Sequence, residues 1–361
     1  MLNLHMKKRA FLLPILALFL TAAACQQPAV DVRGKTLLQK QKLPLKTRLQ
    51  TIAIGSCNRV DKDQAIWKAI LQNRPDLWVW LGDNIYADTE DMQAMKTMYL
   101  QQKYHPEYLA FRSAVPVIGI WDDHDYGVND GDKHYAWKKT SQQLMLDFLD
   151  VPAKAPVRSR EGAYQSFTFG PKGQRVKIIL LDGRSFRDEL KPGPPGSGIR
   201  YAPNPDGDML GEAQWAWLEQ ELRQSDAQVH LIGCGIQFLP EEQVYEKWAN
   251  FPRARTRLLN LLDTVQPQHT LLISGDRHIA ELSKTTLPTS GRTLYELTSS
   301  GLTHTWSLGG GGEPNRYRLG ELVIARNFGL LRIEWTPSGP VLATEIRGLE
   351  NVLFAKNTLS K

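Results

Sequence analysis

Four short polar clusters along the chain gather a thiol, carboxylates, a phenol and imidazoles: Gly55-Ser56-Cys57-Asn58, Gly82-Asp83-Asn84-Ile85-Tyr86, Trp121-Asp122-Asp123-His124-Asp125 and Gly275-Asp276-Arg277-His278. Each follows an apolar, β-rich run, where a carboxylate cannot stay desolvated without a partner. Brought to one place, such donors hold multivalent cations, and an imidazole among them can pass a proton to a leaving group.

The clusters differ in what they specify. Cys57 ends a strand-like run among polar neighbours, so its sulfur is a candidate thiolate ligand or else a buried free thiol. Asp83 closes the apolar run Trp78 to Gly82 and needs a cation or a helix to cap, while Tyr86 could turn its phenolate to the same ion or pack. Asp122, Asp123 and Asp125 repel one another, and only a cation, an arginine cluster or full solvation relieves that. The apolar run Val117 to Trp121 argues against solvation, although a solvated, capped loop is the alternative. Acids around His124 would raise its pKa and make it a proton donor. Asp276 and His278 can face one site from a strand-end loop, a weak signal strengthened by the other clusters.

Strands ending side by side would bring these residues to one rim, and the chain supplies such strands. The pattern predicts strand Thr51–Ser56, helix Asp63–Gln72, strand Leu77–Leu81, helical stretches across Met92–Arg112, strand Val115–Trp121 and a helix over about His134–Leu149. Strands Ala163–Gly170 and Val176–Asp182 flank a Pro-Lys-Gly turn, and a Pro/Gly-rich loop, Lys191–Asp208, leads into helix Glu212–Ser225. Strand Val229–Gly233, helix Arg255–Leu262 and strand Thr270–Ser274 restore the alternation before a β-rich end with Thr293–Ser299, Phe328–Trp335 and Val341–Ile346. The expected class is α/β, central sheets of mixed pairing covered by helices. No Walker or Rossmann glycine motif is present, and Gly309 to Gly312 reads as a flexible loop.

At 361 residues and 42% hydrophobic content, the chain can bury a large core. Lys7, Lys8 and Arg9 precede the apolar run Ala10 to Leu20, then Ala22-Ala23-Ala24 and Cys25, the pattern of an export signal too short to span a bilayer. Ending on cysteine, it resembles a bacterial lipoprotein signal cleaved before a lipidated Cys25, with plain secretion after Ala24 as the alternative. Lys8-Arg9 echoes a twin-arginine signal, and the general secretory route is preferred. The expected organisation is a signal peptide over 1–24, a lipidated tether over 25–50, one domain over 51–350 and a tail over 351–361. The expected location is the cell envelope, periplasmic and membrane-anchored, or secreted. Removing the signal lowers the formal charge from +6 to +3, which leaves little basis for nucleic-acid binding. Cys57 and Cys234 both follow strand-like runs beside glycines and are expected to stay unbridged.

Jointly the motifs resemble the PhoD-like alkaline phosphatase (alkaline phosphatase D) family within the calcineurin-like metallophosphoesterases, over roughly Thr51 to Thr305. Besides the four clusters, Leu181-Asp182-x-Arg184 and Leu210-Gly211-Glu212-x-Gln214-x-x-Trp217-Leu218 carry the likeness. The resemblance implies a four-layer αββα sandwich with mixed sheets, acting as a metal-dependent phosphomonoesterase or phosphodiesterase. On that pattern Cys57, Asp83, Tyr86, Asp123, Asp276 and His278 are metal ligands with Asp83 bridging, and His124 is the catalytic imidazole. Asp122 and Asn129 are further candidates. Elsewhere in the superfamily a histidine ligand follows the strand that here ends at Cys234, and this chain offers Gln237 instead. The implied cofactors are two or more metal ions, iron with calcium, with manganese, zinc or magnesium as alternatives. Bacillus-type members carry an extra N-terminal β-domain, and any substrate restriction it provides is not expected here.

The expected function is therefore an exported phosphoester hydrolase, expected to be monomeric, in which metal-activated water attacks phosphorus in line. Arg184 is expected to clamp a phosphate oxygen, or else to pair with Asp182 or Asp188. Tyr86, Tyr126, Tyr135, Trp137, Trp306 and His304 could wall a small phosphoester, or belong to the core. The alternative function is a non-catalytic envelope binding lipoprotein that keeps the fold.

Overall fold

The run Leu77-Trp78-Val79-Trp80-Leu81 is apolar on both faces, and it forms a strand in which every residue is buried. The computed structural model describes residues 41–306 and 313–360, so the signal, Cys25 and the glycine run at 309–312 lie outside the described residues. In chain order the first elements are β1 (Thr51–Gly55), α1 (Ile66–Gln72), β2 (Leu77–Leu81), α2 (Met92–Lys103), α3 (Pro106–Ala114), β3 (Val117–Ile120), α4 (Asp123–Tyr126) and α5 (Lys138–Phe148). Next come β4 (Gln165–Phe169), β5 (Val176–Leu180), the short pair β6 (Lys191–Pro192) and β7 (Tyr201–Ala202), α6 (Gly211–Arg223), β8 (Val229–Cys234), α7 (Pro252–Val265) and β9 (Thr270–Ser274). The β-rich end holds β10 (Ala280–Thr286), β11 (Thr293–Ser299), β12 (Arg318–Val323), β13 (Asn327–Thr336), β14 (Gly339–Gly348) and β15 (Leu353–Thr358).

Two large sheets result, ordered β15-β14-β13-β1-β2-β3 and β12-β10-β11-β9-β8-β5-β4. Their centres are parallel, with β1, β2 and β3 aligned in one and β11, β9, β8 and β5 in the other, while antiparallel strands flank them. Alternation along the second sheet divides its residues between two cores. Ile178, Leu180, Leu231, Leu271 and Ile273 pack in the core that contains the first sheet. Their neighbours Ile179, Ile232 and Leu272 pack with Trp215 and Leu218 of α6 and Leu258 and Leu262 of α7. On the outer face of the first sheet, Trp78 and Trp80 meet Trp67 of α1 at 5.0 and 5.2 Å between ring centroids, edge to face. Tyr108 and Phe111 of α3 close around Trp67 at 4.8 and 5.0 Å. Truncating any of these buried tryptophans to alanine would cost about 3–5 kcal/mol. The layering is helix, sheet, sheet, helix, the expected αββα sandwich.

The edges of the expectation shift for physical reasons. Residues 41–50 are not a free tether: Leu49 is buried and the Gln41 amide reaches the Val115 carbonyl at 3.0 Å. The tail holds β15, which pairs with β14 and covers an otherwise open edge, and Ser360 meets the Tyr295 hydroxyl at 2.7 Å. Strands β10 and β12 escape the apolar pattern because they carry Glu281, Ser283 and Gly320. Among the described residues Cys57 and Cys234 are free and buried, and no helix is long and apolar enough to cross a membrane.

Candidate metal centre

Parallel strands β1, β2 and β3 of one sheet and β5, β8 and β9 of the other end at one rim, and the polar clusters are the loops that leave them. Glycines let these ends approach: a Cβ on Gly235 would lie 2.2 Å from Asp122 Cγ, and one on Gly275 would lie 2.4 Å from the Leu81 carbonyl. Four candidate ligands stand in the left-handed region, Cys57 at φ 61°, Asp83 at 48°, Asp276 at 66° and His278 at 55°. Each such residue costs on the order of 1–3 kcal/mol, a strain that persists where the surrounding structure holds it.

The first donor set centres on Cys57. Its Sγ lies 3.3 Å from Asp83 Oδ2 and 3.5 Å from the Asp276 carbonyl. The Tyr86 hydroxyl is 3.2 Å from the same Asp83 oxygen and 2.9 Å from His278 Nε2. Ligand atoms of Cys57, Asp83 and His278 fall within 4.8 Å of one another. Burial pushes the Cys57 thiol and the Tyr86 phenol well up, and the Asp83 charge adds to both shifts. Burial also lifts the Asp83 carboxyl far above its ordinary range, with Asp123, Asp125 and Asp276 adding repulsion. His278 is lowered to about 3 by burial, with His304 and Arg277 beside it, which keeps the ring neutral with a lone pair to give.

A second set is all oxygen. Carboxylates of Asp122, Asp123 and Asp276 come within 4.8 Å, and Asp83, Asp123 and a His124 nitrogen do the same, so Asp83 and Asp123 each belong to two groups. Burial opposes ionisation of Asp123, but Arg184 and His124 bring its carboxyl down to about 2. Burial takes Asp276 up to about 6. Asp125 is a tie between loops: it accepts from the backbone of Asp83 at 3.2 Å, Asn84 at 3.3 Å and Asp122 at 2.8 Å, and from the Tyr99 hydroxyl at 3.2 Å.

His124 packs on Tyr86 at 4.2 Å between centroids, and its Nδ1 meets both carboxylate oxygens of Asp88 at 2.7 and 2.8 Å. Burial alone would lower its pKa, but Asp83, Asp88 and Asp123 raise it to about 10. With Nδ1 held by Asp88, Nε2 is the nitrogen left for the donor groups. Sequence reasoning missed Asp88, although a carboxylate two residues beyond Tyr86 in the same loop was a usable signal.

Arg184 is not free to clamp a phosphate oxygen, nor does its guanidinium pair with Asp182 or Asp188. It is fully buried, with Nε 2.7 Å from Asp122 Oδ1 and Nη1 2.6 Å from Glu246, which also takes Arg187 at 2.8 Å. Asp182 is occupied by the Trp121 indole at 2.9 Å and the Ser185 hydroxyl at 2.7 Å. Glu246 carried no signal, standing in a loop remote from every motif. Gln237 is likewise corrected: its amide donates to Glu281 at 2.9 Å and Thr298 at 3.0 Å, in a polar layer between β10 and β11. Asn129 is exposed and donates to Asp130 at 2.7 Å. Of the aromatics, Tyr126 and Tyr135 are core, Trp137 is exposed, and His304 and Trp306 flank His278 at 4.4 and 5.2 Å. Tyr245, not anticipated, stacks on Trp306 at 5.4 Å.

The residues fit metal ions. Asp83 Oδ1 and Asp122 Oδ2 are buried with no partner, and Asp276 Oδ2 meets only the Arg277 guanidinium at 3.5 Å; a buried carboxylate oxygen is stable only against a cation or a proton. The set of sulfur, phenol and imidazole suits a transition metal, and the set of carboxylates suits a hard divalent cation.

Residues 52–317 match the family model described as PhoD-like phosphatase. Alkaline phosphatase D of Bacillus subtilis (strain 168) is 22% identical over 275 residues, which cover 63% of this chain and 46% of the relative, so the chain spans about half of that protein's length. Among solved structures, that of PhoD aligns over 89% of this chain and 73% of its own with 17% identity and a TM-score of 0.65. A purple acid phosphatase from yellow lupin (Lupinus luteus) aligns over 88% of this chain and 55% of its own, with 14% identity and a TM-score of 0.59. A dimetal phosphatase from Danio rerio aligns over 87% and 99%, with 14% identity and a TM-score of 0.55. These structural likenesses support the fold.

Proposed function

The chain belongs to the PhoD-like phosphatase family, and from that premise we propose that it is a metal-dependent phosphoric ester hydrolase acting on mono- or diesters. The observation that carries this reading is the convergence of buried carboxylate oxygens of Asp83, Asp122 and Asp276, the first two without any partner, with a carboxylate-anchored imidazole at one rim. Cys57, Asp83, Tyr86 and His278 would hold one ion, and Asp83, Asp122, Asp123 and Asp276 a second, with iron and calcium the preferred pair. When bound, such ions supply the Lewis acidity that neutralises phosphoryl charge and acidifies the attacking water.

The chain's own residues do the rest. Asp88 fixes the His124 ring so that Nε2 faces the donor groups, and the protonated ring gives its proton to the departing ester oxygen. Arg184 holds Asp122 in place from behind and leaves the substrate side to the carboxylates. His304, Trp306 and Tyr245 wall the side next to His278, where the organic part of a small ester would lie. A binding protein without catalysis has no use for an imidazole oriented in this way.

Metal analysis of the natively exported protein, with assays on p-nitrophenyl phosphate and its bis ester after addition of iron, calcium, manganese or zinc, tests the proposal. Hydrolysis that a chelator removes is expected; a metal-loaded protein inert toward every ester would overturn it. The reading also places the protein in the envelope, monomeric and anchored through a lipid on Cys25. Membrane fractionation of Cys25→Ala checks the anchor, with release into the soluble fraction expected.

A further inference from the structure

We propose that a cavity of about 390 Å³ beside α5, outside the metal centre, is a second anion site that binds a phosphate group through Arg160. Its lining includes Lys138, Lys139, Gln142, Arg158, Arg160 and Ser185, and none of the metal-centre donors.

Arg160 is the residue that calls for a ligand. Its guanidinium lies 3.8 Å above the Tyr164 ring and 5.5 Å from that of Trp217. With one face over these adjacent rings, its in-plane N–H groups are what remain to bind. Nε is shielded from solvent with no partner, and no described residue offers the group a hydrogen bond or a salt bridge. Burial correspondingly lowers its pKa. Other buried and half-buried arginines meet an acceptor: Arg112 has Asp150, Arg175 has Asp226, Arg184 and Arg187 share Glu246, Arg318 has Glu281 and Arg326 has Asp63.

The remaining charges set the ligand's charge. Lys138 is compensated by Glu161 at 2.8 Å and by the Lys133 and Ser185 carbonyls at 3.0 and 3.2 Å. Arg158 is compensated by Asp147 at 2.8 Å and by the Val151 carbonyl at 2.7 Å. Arg160 and the exposed Lys139 are left, two positive charges without a counterion. A phosphate dianion answers that balance and binds a guanidinium edge through two oxygens. The volume leaves room for a small alcohol attached to it.

Calorimetric titration of the full chain with inorganic phosphate, in the wild type, Arg160→Leu and Asp83→Asn, tests the site, with glycerol 3-phosphate titrated into Asp83→Asn, whose metal centre is disabled. Binding is expected to survive Asp83→Asn and to weaken at least about tenfold in Arg160→Leu, while Arg160→Leu hydrolyses bis-p-nitrophenyl phosphate at the wild-type rate. Tighter binding of inorganic phosphate identifies the free ion as occupant, and tighter binding of the glycerol ester identifies an ester. The proposal fails if Asp83→Asn binds neither probe or if Arg160→Leu binds as the wild type does. Should Arg160→Leu not fold, Lys139→Ala takes its place: weaker binding supports the site and unchanged binding overturns it.

Discussion

Two groups of buried carboxylates lie side by side at the rim and are neutralised in opposite ways. Asp122 and Glu246 face Arg184 and Arg187 at 2.6 to 2.8 Å, so the fold carries its own counter-charge there. Asp83 keeps a buried oxygen with no partner, Asp276 Oδ2 meets only Arg277 Nη1 at 3.5 Å, and burial pushes both carboxyl groups up. Asp122 joins the groups, with Oδ1 on Arg184 and Oδ2 unpartnered. The lesson is a division of labour: arginines supply fixed charge where the sheets must be held together, and the space on the other side of Asp122 is left for ions.

That contrast breaks most sharply at Asp83. Asparagine tolerates the left-handed backbone that Asp83 adopts, so Asp83→Asn removes charge with little change of shape. Bound metal and hydrolysis should fall together, activity by more than the ~100-fold typical of residues that only support a ligand. A metal-free variant with wild-type turnover would refute the assignment. On the arginine side the loss should be of stability: Arg184→Met strands Asp122, leaves Glu246 with Arg187 alone, and should cost about 3–5 kcal/mol in urea unfolding. An equal loss in Asp83→Asn would show that the two regions are not compensated differently.

A smaller effect is expected where the two regions share no charge. Asp88 is exposed at 42% and touches His124 alone among the catalytic candidates, so Asp88→Asn should leave metal content intact. It should lower kcat by about 10- to 100-fold through the loosened ring, with little change in KM. A rise in KM at constant kcat would mean that Asp88 meets substrate instead.

How far these regions were legible follows from how each is built. Cys57, Asp83, Tyr86, Asp122, Asp123, His124, Asp276 and His278 stand at strand ends, where apolar runs and glycines mark both the strand and the turn, and the structure brings all of them together. The sheets were legible for the same reason, since β2, β5 and β9 are nearly pure apolar runs. Glu246 and Tyr245 were not, because a loop residue far from any strand end shows no periodicity that would place it. Gln237 follows a strand that ends at the rim and Asn129 follows His124 by five residues, yet both face elsewhere, because spacing fixes a loop's neighbourhood and not its side-chain direction. Strand β10 was hidden by Glu281 and Ser283, which are buried only because Arg318, Gln237 and Asn315 satisfy them.

The opposite end of β8 offers the mildest test of the comparison, because a buried titratable group there is left neutral, with neither arginine nor ion. His230 gives and accepts through Gln268 and Ser225, each at 2.8 Å, and burial, with Lys177 and Arg292 nearby, lowers its pKa to about 4. In the unfolded chain it would titrate near 6.5. Above that pH neither state carries the proton, and the contribution to stability is complete. As pH falls from about 6.5 toward about 4, the unfolded chain takes up the proton first, so stability declines through that window and levels off below it. Between pH 7 and 5 the loss should be roughly 2 kcal/mol, with activity per folded molecule unaffected by this residue. Urea unfolding of wild type and His230→Gln at both pH values measures it: the variant should start less stable and show a shallower decline. Identical declines in the two proteins would assign the acid sensitivity to the rim carboxylates instead.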